Sequence, residues 1–137
     1  MHFSKTSEYA IRILTYLDRH HETSHSVNEL HQRLGLPYKY LTGLVTRLVK
    51  EGLIHASRGR EGGIRLAKSA EEIHLSDILN AVGEPLESDR CILGFASCDA
   101  SNPCVLHAQW AGPKKEIDTM LRTTTLAILS AQPDTKL

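Results

Sequence analysis

Residues 26–66 read SVNELHQRLGLPYKYLTGLVTRLVKEGLIHASRGREGGIRL, and this stretch decides the fold. Ser26-Val27-Asn28-Glu29 has the form of a capping box, with Ser26 accepting from the Glu29 N–H while Glu29 reaches back. Val27, Leu30 and Leu34 then make the buried stripe of a short helix. Gly35 ends it, and Pro37 falls near the first turn of the next helix, where a missing N–H costs little. In that next helix Leu41, Leu44, Val45 and Leu48 form a second stripe, stopped at Gly52, while Lys39, Thr42, Gly43, Thr46, Arg47 and Lys50 lie off it. Leu53–Ala56 and Ile64–Leu66 read as two short strands around Ser57–Gly63, a hairpin tip with three Gly and two Arg. Any helical pair can carry solvated Lys and Arg. A helix, a second helix with a basic outer face and then a cationic glycine hairpin is the order of a winged helix-turn-helix, built to approach a phosphate backbone or a minor groove.

Upstream, a first helix is expected to start after Ser4 or Thr6, with Ala10, Ile13, Leu14 and Leu17 on one face and the polar run HHETSH at 20–25 closing it. The whole chain has 137 residues, 41% hydrophobic and 23% charged, which fits one compact domain with or without a short appendage and excludes wholesale disorder. The net charge of zero hides an asymmetry. Residues 1–70 hold 11 basic and 6 acidic side chains, and residues 71–137 hold 5 and 10, so +5 faces −5. A basic half predicts a polyanionic partner. No stretch approaches the roughly 18 apolar residues of a spanning helix, and no secretory signal is visible, so a reducing, cytoplasmic setting without membrane contact is expected.

Beyond the wing, Ser76 is placed to cap a helix over 77–82, closed by Gly83 and Pro85. The next segment has little periodicity and carries Cys91, Cys98 and Cys104, with six and five residues between them. Three clustered Cys in a cytosolic chain read as a metal or redox site before a disulfide scaffold. Iron–sulfur clusters and zinc both take thiolates, and gaps looser than Cys-x2-Cys favour a cluster. The site is one ligand short, for which His107 or a carboxylate is the candidate. Three unrelated buried Cys, or a reactive dithiol, are the plainer readings.

Residues 105–130 are expected to be mostly helical. Ile117, Met120, Leu121, Thr124 and Ile128 form a stripe too apolar for a lone helix, and from 114 to 130 it would run roughly 25 Å. Pro113 predicts a kink or a restart near Gly112-Pro113. A long terminal helix on a small DNA-binding domain suits a dimer seam, although it could equally pack back on its own domain. The fold class expected is therefore mainly α: a winged helix-turn-helix domain over 1–70, a connector helix and cysteine loop over 71–104, and a dimerisation helix and tail over 105–137.

The opening MHFSKTSEYAIRIL, the segment LTGLVTRLVKEGLI, the wing SRGREGGIRLAK and the three-Cys loop together resemble the Rrf-type winged-helix transcriptional regulators, the family of IscR-, NsrR- and RirA-like iron–sulfur regulators. The resemblance covers nearly the whole chain. It implies a homodimer that binds a double-stranded operator, with Lys39, Thr42 and Arg47 of the recognition helix and Arg58 and Arg60 of the wing meeting DNA. It also implies an iron–sulfur cluster held by Cys91, Cys98 and Cys104, four-iron in preference to two-iron. For the fourth ligand it offers two choices. One is Glu8 from the partner subunit, as in NsrR-like members; the other is His107, three residues past the last Cys, as in IscR-like members. The first Cys gap is longer than the family's usual five or fewer.

The expected function is a non-enzymatic regulator, acting as a repressor, that senses nitric oxide, redox state or iron–sulfur status. A thiol-based or zinc-containing regulator without a cluster is the alternative. An iron–sulfur electron-transfer protein is a further one from another class, although it has no use for a basic recognition helix.

Overall fold

The computed structural model describes residues 2–85, 90–132 and 135–136. Helix α1 spans Lys5–Arg19, α2 Val27–Leu34 and α3 Tyr38–Lys50; strands β1 (Ile54–Ser57) and β2 (Gly63–Leu66) follow. After a single 3-10 turn at Ala70–Glu72 come α4 (Leu75–Ala81), α5 (His107–Thr123) and α6 (Leu126–Ser130). The chain is thus mainly helical with one two-stranded antiparallel sheet, as expected.

Local chemistry sets most of these boundaries. Ser4 caps α1, its Oγ accepting from the Ser7 N–H at 3.2 Å, and Ser26 caps α2 by accepting from the Glu29 N–H at 3.0 Å. Gly35 ends α2 at φ +64°, a left-handed conformation that favours glycine. The second half of the expected capping box is absent among the described bonds. The Glu29 carboxylate is turned instead toward His25 Nδ1 at 3.0 Å and the Tyr16 hydroxyl at 3.2 Å. The His25 hydrogen bond, then that of Tyr16, holds this carboxyl below its ordinary range.

The predicted apolar stripes all point inward. Ala10, Ile13, Leu14 and Leu17 of α1 meet Leu30 and Leu34 of α2 and Leu41, Leu44, Val45 and Leu48 of α3 in one core. The strands pair Ile54 with Leu66 and Ser57 with Gly63, one residue on from the expected start of β1. The backbone of His25 also bonds Ile64 in both directions, at 3.1 and 2.7 Å, so the α1–α2 loop lies along the wing as a third edge.

Three expectations about the C-terminal half change. Helix α4 starts at Leu75, not after Ser76, because the Asp77 carboxylate accepts from the His74 N–H at 2.8 Å and fixes His74 as the cap. Pro113 produces no restart: α5 begins earlier, at His107, and runs through it. The break falls at Thr124–Thr125 instead, where the chain becomes extended and bridges His74. There the Leu75 N–H donates to the Thr124 carbonyl at 3.0 Å and the Leu126 N–H to that of Ile73 at 2.7 Å. Beyond this clip α6 packs on α1 and the 3-10 turn with Leu126 fully buried, and Leu121 of α5 is buried just before it. The terminal segment therefore covers its own domain.

Candidate nucleic-acid interface and metal centre

The inner face of α3 is consumed by the core, which leaves its other side to solvent. Lys39 and Arg47 are exposed there and Thr42 is half-buried. The Thr42 hydroxyl donates to the Lys39 carbonyl at 2.8 Å, leaving its oxygen free to accept. Between α3 and the first turn of α1 lies an open hollow of about 610 Å³, edged by Thr6, Lys39, Tyr40 and Arg47 with Gly43 among them. The Tyr40 and Thr6 hydroxyls are hydrogen-bonded, and the Tyr40 ring meets Tyr9 edge-on at 5.4 Å. Sequence reading passed over Tyr40. Its signal was an aromatic at an outward position of a helix whose apolar stripe is already complete.

Arg58 and Arg60 are exposed on the wing. The tip is tight: the Gly62 N–H donates to the Gly59 carbonyl at 3.1 Å, and a Cβ on Gly62 would lie 2.5 Å from the Ser57 carbonyl oxygen. Arg65 on β2 donates to the Ser24 hydroxyl at 2.7 Å, a second tie between wing and α1–α2 loop. Recognition helix and wing are thus presented by one core, with cations on both.

The cysteine loop is irregular from Arg90 to Leu106. A turn closes on Cys91, whose carbonyl accepts from the Gly94 N–H at 2.9 Å, and Cys91 is only 4% exposed. The loop brings the candidate ligands together in two pairs. Cys91 Sγ lies 3.5 Å from Cys104 Sγ, and Cys98 Sγ lies 3.6 Å from His107 Nδ1. His107 is the first residue of α5, its N–H donating to the Cys104 carbonyl at 3.1 Å, so helix initiation sets the ring beside the loop. The backbone of Leu93, then Cys104 and the Phe95 backbone, lower the Cys91 thiol, with Lys114 adding its charge. Among the described residues no three His, Cys, Asp or Glu converge as ligands of one ion. Glu8 sits apart in the first turn of α1, ion-paired with Lys5 at 2.8 Å, and that bond lowers its carboxyl.

Sequence reading missed the root of the loop. The Glu84 carboxylate accepts from the hydroxyls of Ser4 and of fully buried Ser7, the latter at 2.6 Å. Those two hydroxyls, with Arg47 adding a smaller effect, hold Glu84 below the ordinary carboxylate range. Gly83 lies directly against the recognition helix, since a Cβ there would meet Arg47 Nη2 at 2.6 Å. The residues leading into the cysteine loop therefore touch both the N-terminal turn of α1 and a basic side chain of α3.

A helix-turn-helix whose basic helix and cationic hairpin share one core defines the winged-helix class of DNA-binding transcriptional regulators. Residues 3–132 match the Rrf2 family model, described as an iron-dependent transcriptional regulator, and the chain belongs to that family. It is 30% identical over 128 residues to an HTH-type transcriptional regulator of Aquifex aeolicus, covering 92% of this chain and 89% of that protein. It is 34% identical over 106 residues to the transcriptional regulator IscR of Yersinia pseudotuberculosis. That match takes in 77% of this chain but spans only 64% of IscR. Among solved structures, T. potens IscR superimposes with a TM-score of 0.74 at 27% identity, covering 99% of this chain and 94% of that one. CymR, the global cysteine regulator of B. subtilis, shares the fold with a TM-score of 0.81 at 23% identity, covering 98% and 99%. The protein is accordingly a transcriptional regulator of the Rrf2 family, which binds DNA and is not an enzyme; the electron-carrier alternative is set aside. No helix among the described residues is long and apolar enough to cross a membrane.

Proposed function

We propose that the chain is a cytoplasmic, homodimeric repressor whose operator affinity is set by an iron–sulfur cluster on Cys91, Cys98, Cys104 and His107, reporting nitric oxide, redox or iron–sulfur status. The observation that carries this reading is the pairing of those four side chains, Cys91 with Cys104 and Cys98 with His107. Two ligands on one tetrahedral metal with bonds of about 2.3 Å stand about 3.7 Å apart. Two such pairs suit the two irons of a two-iron cluster better than a four-iron cube, in which each iron takes one ligand. The pairing also favours His107 over Glu8, whose carboxylate is engaged by Lys5. When bound, such a cluster supplies a group whose oxidation, nitrosylation or loss changes the loop that holds it.

The residues of the chain carry that change to DNA. At the root of the loop Glu84 holds Ser4, the cap of α1, and Ser7 in its first turn, while Gly83 abuts Arg47 of α3. The first turn of α1 in turn holds Tyr40 through Thr6. Shifting the loop shifts the turn of α1 on which the recognition helix leans, and with it Lys39, Thr42 and Arg47. Arg58 and Arg60 of the wing supply the second set of DNA contacts. The divisions 1–70, 71–104 and 105–137 assign DNA reading, sensing and dimerisation. Along α5 only Leu121 is fully buried while Met120 stays exposed, which supports a seam with a second copy.

The test is iron and acid-labile sulfide per chain on protein purified without oxygen, with operator binding measured before and after cluster removal. About two of each per chain is expected, together with a visible spectrum altered by His107→Ala and unchanged by Glu8→Ala. Protein that holds neither iron nor sulfide after reconstitution, yet binds its operator, removes the cluster from the account.

A further inference from the structure

The two side-chain pairs are chemically unlike. Cys98 faces an imidazole, whereas Cys91 and Cys104 face each other, sulfur to sulfur, at 3.5 Å. A disulfide closes at a sulfur separation of about 2.05 Å, so the gap to be crossed is about an atom's radius. Both sulfurs sit outside regular helix and strand. Cys91 lies in the turn that runs to Phe95, and Cys104 lies in irregular chain just ahead of α5. Burial orders the two: Cys91 is 4% exposed and Cys104 is half-buried. An oxidant from solvent reaches Cys104 first and finds Cys91 directly behind it.

From this juxtaposition we infer that Cys91 and Cys104 are a redox-active dithiol, which closes to a single internal disulfide whenever no metal occupies the loop and leaves Cys98 a thiol beside His107. With a low-molecular-weight disulfide as oxidant the chemistry balances. The Cys104 sulfur, giving up its proton, attacks one sulfur of glutathione disulfide; a mixed disulfide forms and one glutathione leaves with that proton. The Cys91 sulfur then attacks the Cys104 sulfur, the Cys91–Cys104 bond forms, and a second glutathione leaves with the proton from Cys91. Two protein thiols are oxidised, and one glutathione disulfide is reduced to two thiols.

The inference does not rest on the cluster reading, because it concerns the metal-free chain. It gives that chain a second oxidised state, in which two of the three thiols are withdrawn from any metal until the bond is reduced. The bond would tie the Cys91 turn to the residues that start α5, cross-linking the loop at both ends.

The experiment uses the full-length protein, stripped with a chelator and reduced, then exposed to glutathione disulfide. Intact mass and non-reducing peptide maps are read after trapping free thiols with iodoacetamide. The expected result is a loss of two hydrogens per chain, one cross-linked peptide pair joining Cys91 to Cys104, and carbamidomethyl on Cys98. Cys98→Ser should form the same bond at an unchanged rate. Cys91→Ser should stop at the mixed disulfide with glutathione on Cys104. A dominant bond that includes Cys98, or glutathione on every cysteine with no internal bond, overturns the inference. Iron and sulfide content of the anaerobic protein is a separate measurement, so failure of the cluster leaves this result readable, and the reverse.

Discussion

A methyl group placed on Gly62 would meet the Ser57 carbonyl oxygen at 2.5 Å and the Arg58 backbone at 2.6 Å, whereas one on Gly43 meets nothing within 4 Å. Two glycines of the proposed DNA-binding surface therefore call for opposite outcomes. Gly62→Ala forces backbone apart at the wing tip and should destabilise the protein by roughly 1–3 kcal/mol. Gly43→Ala, in the exposed middle of α3, should stabilise it by up to about 1 kcal/mol. Urea midpoints with unchanged slopes would check both. Glu84 gives a prediction in pH. Its carboxyl is held below the ordinary value by the Ser4 and Ser7 hydroxyls, so the folded state binds this proton more weakly than the unfolded chain does. The stabilisation is complete above the unfolded value near 4.5 and is lost as pH falls from there through the folded value. Glu84→Gln should flatten that part of the pH–stability curve, measured by thermal melts between about pH 3 and 6. An equal acid loss in the variant would remove Glu84 from the account.

At the scale of single elements, what the sequence shows is what it encodes locally. The stripes of α1, α2 and α3, the Gly35 turn and the Arg/Gly hairpin are written in adjacent residues, and each sits where the pattern puts it. The start of α4 differs from expectation because Ser76 is a good cap by composition, while Asp77 reaches three residues back, to His74. The break at Thr124–Thr125 has only a weak local mark, two β-branched residues; its cause is a bridge to His74, some fifty positions earlier. The pairing of Cys91 with Cys104, and the hold of Glu84 on Ser7, are tertiary facts of the same kind. At Pro113 the local rule predicts a restart that does not occur. The proline removes an N–H and crowds the Gln109 carbonyl, yet α5 carries through. Pro113→Ala should therefore raise stability by roughly 1–3 kcal/mol, with an increase in melting temperature as the check; a fall would mean that the ring itself is packed to advantage.

Across the whole molecule, the terminal segment is part of the DNA-binding domain's core. Leu126 is 0% exposed and belongs to a helix of only five residues, Leu126–Ser130, which is too short to persist without the surface it covers. Leu126→Ala should cost about 2–5 kcal/mol, seen in denaturant titration as loss of the whole domain and not of its last turn. Arg19 at the end of α1 adds to the closure, donating to the carbonyl of Ser130 at 3.2 Å.

That closure has a consequence for how the protein is made. The 107 positions separating Arg19 from Leu126 are translated at about 5–20 residues per second, so α1 emerges roughly 5–20 seconds before its cover. Through that interval Ile13, Leu14 and Leu17 can pack on α2 and α3, but the face awaiting α6 stays open to water and to other nascent chains. A newborn molecule thus has its reading head before it has its seal. Stalled or prematurely terminated chains are expected to be chaperone clients and not weakened regulators.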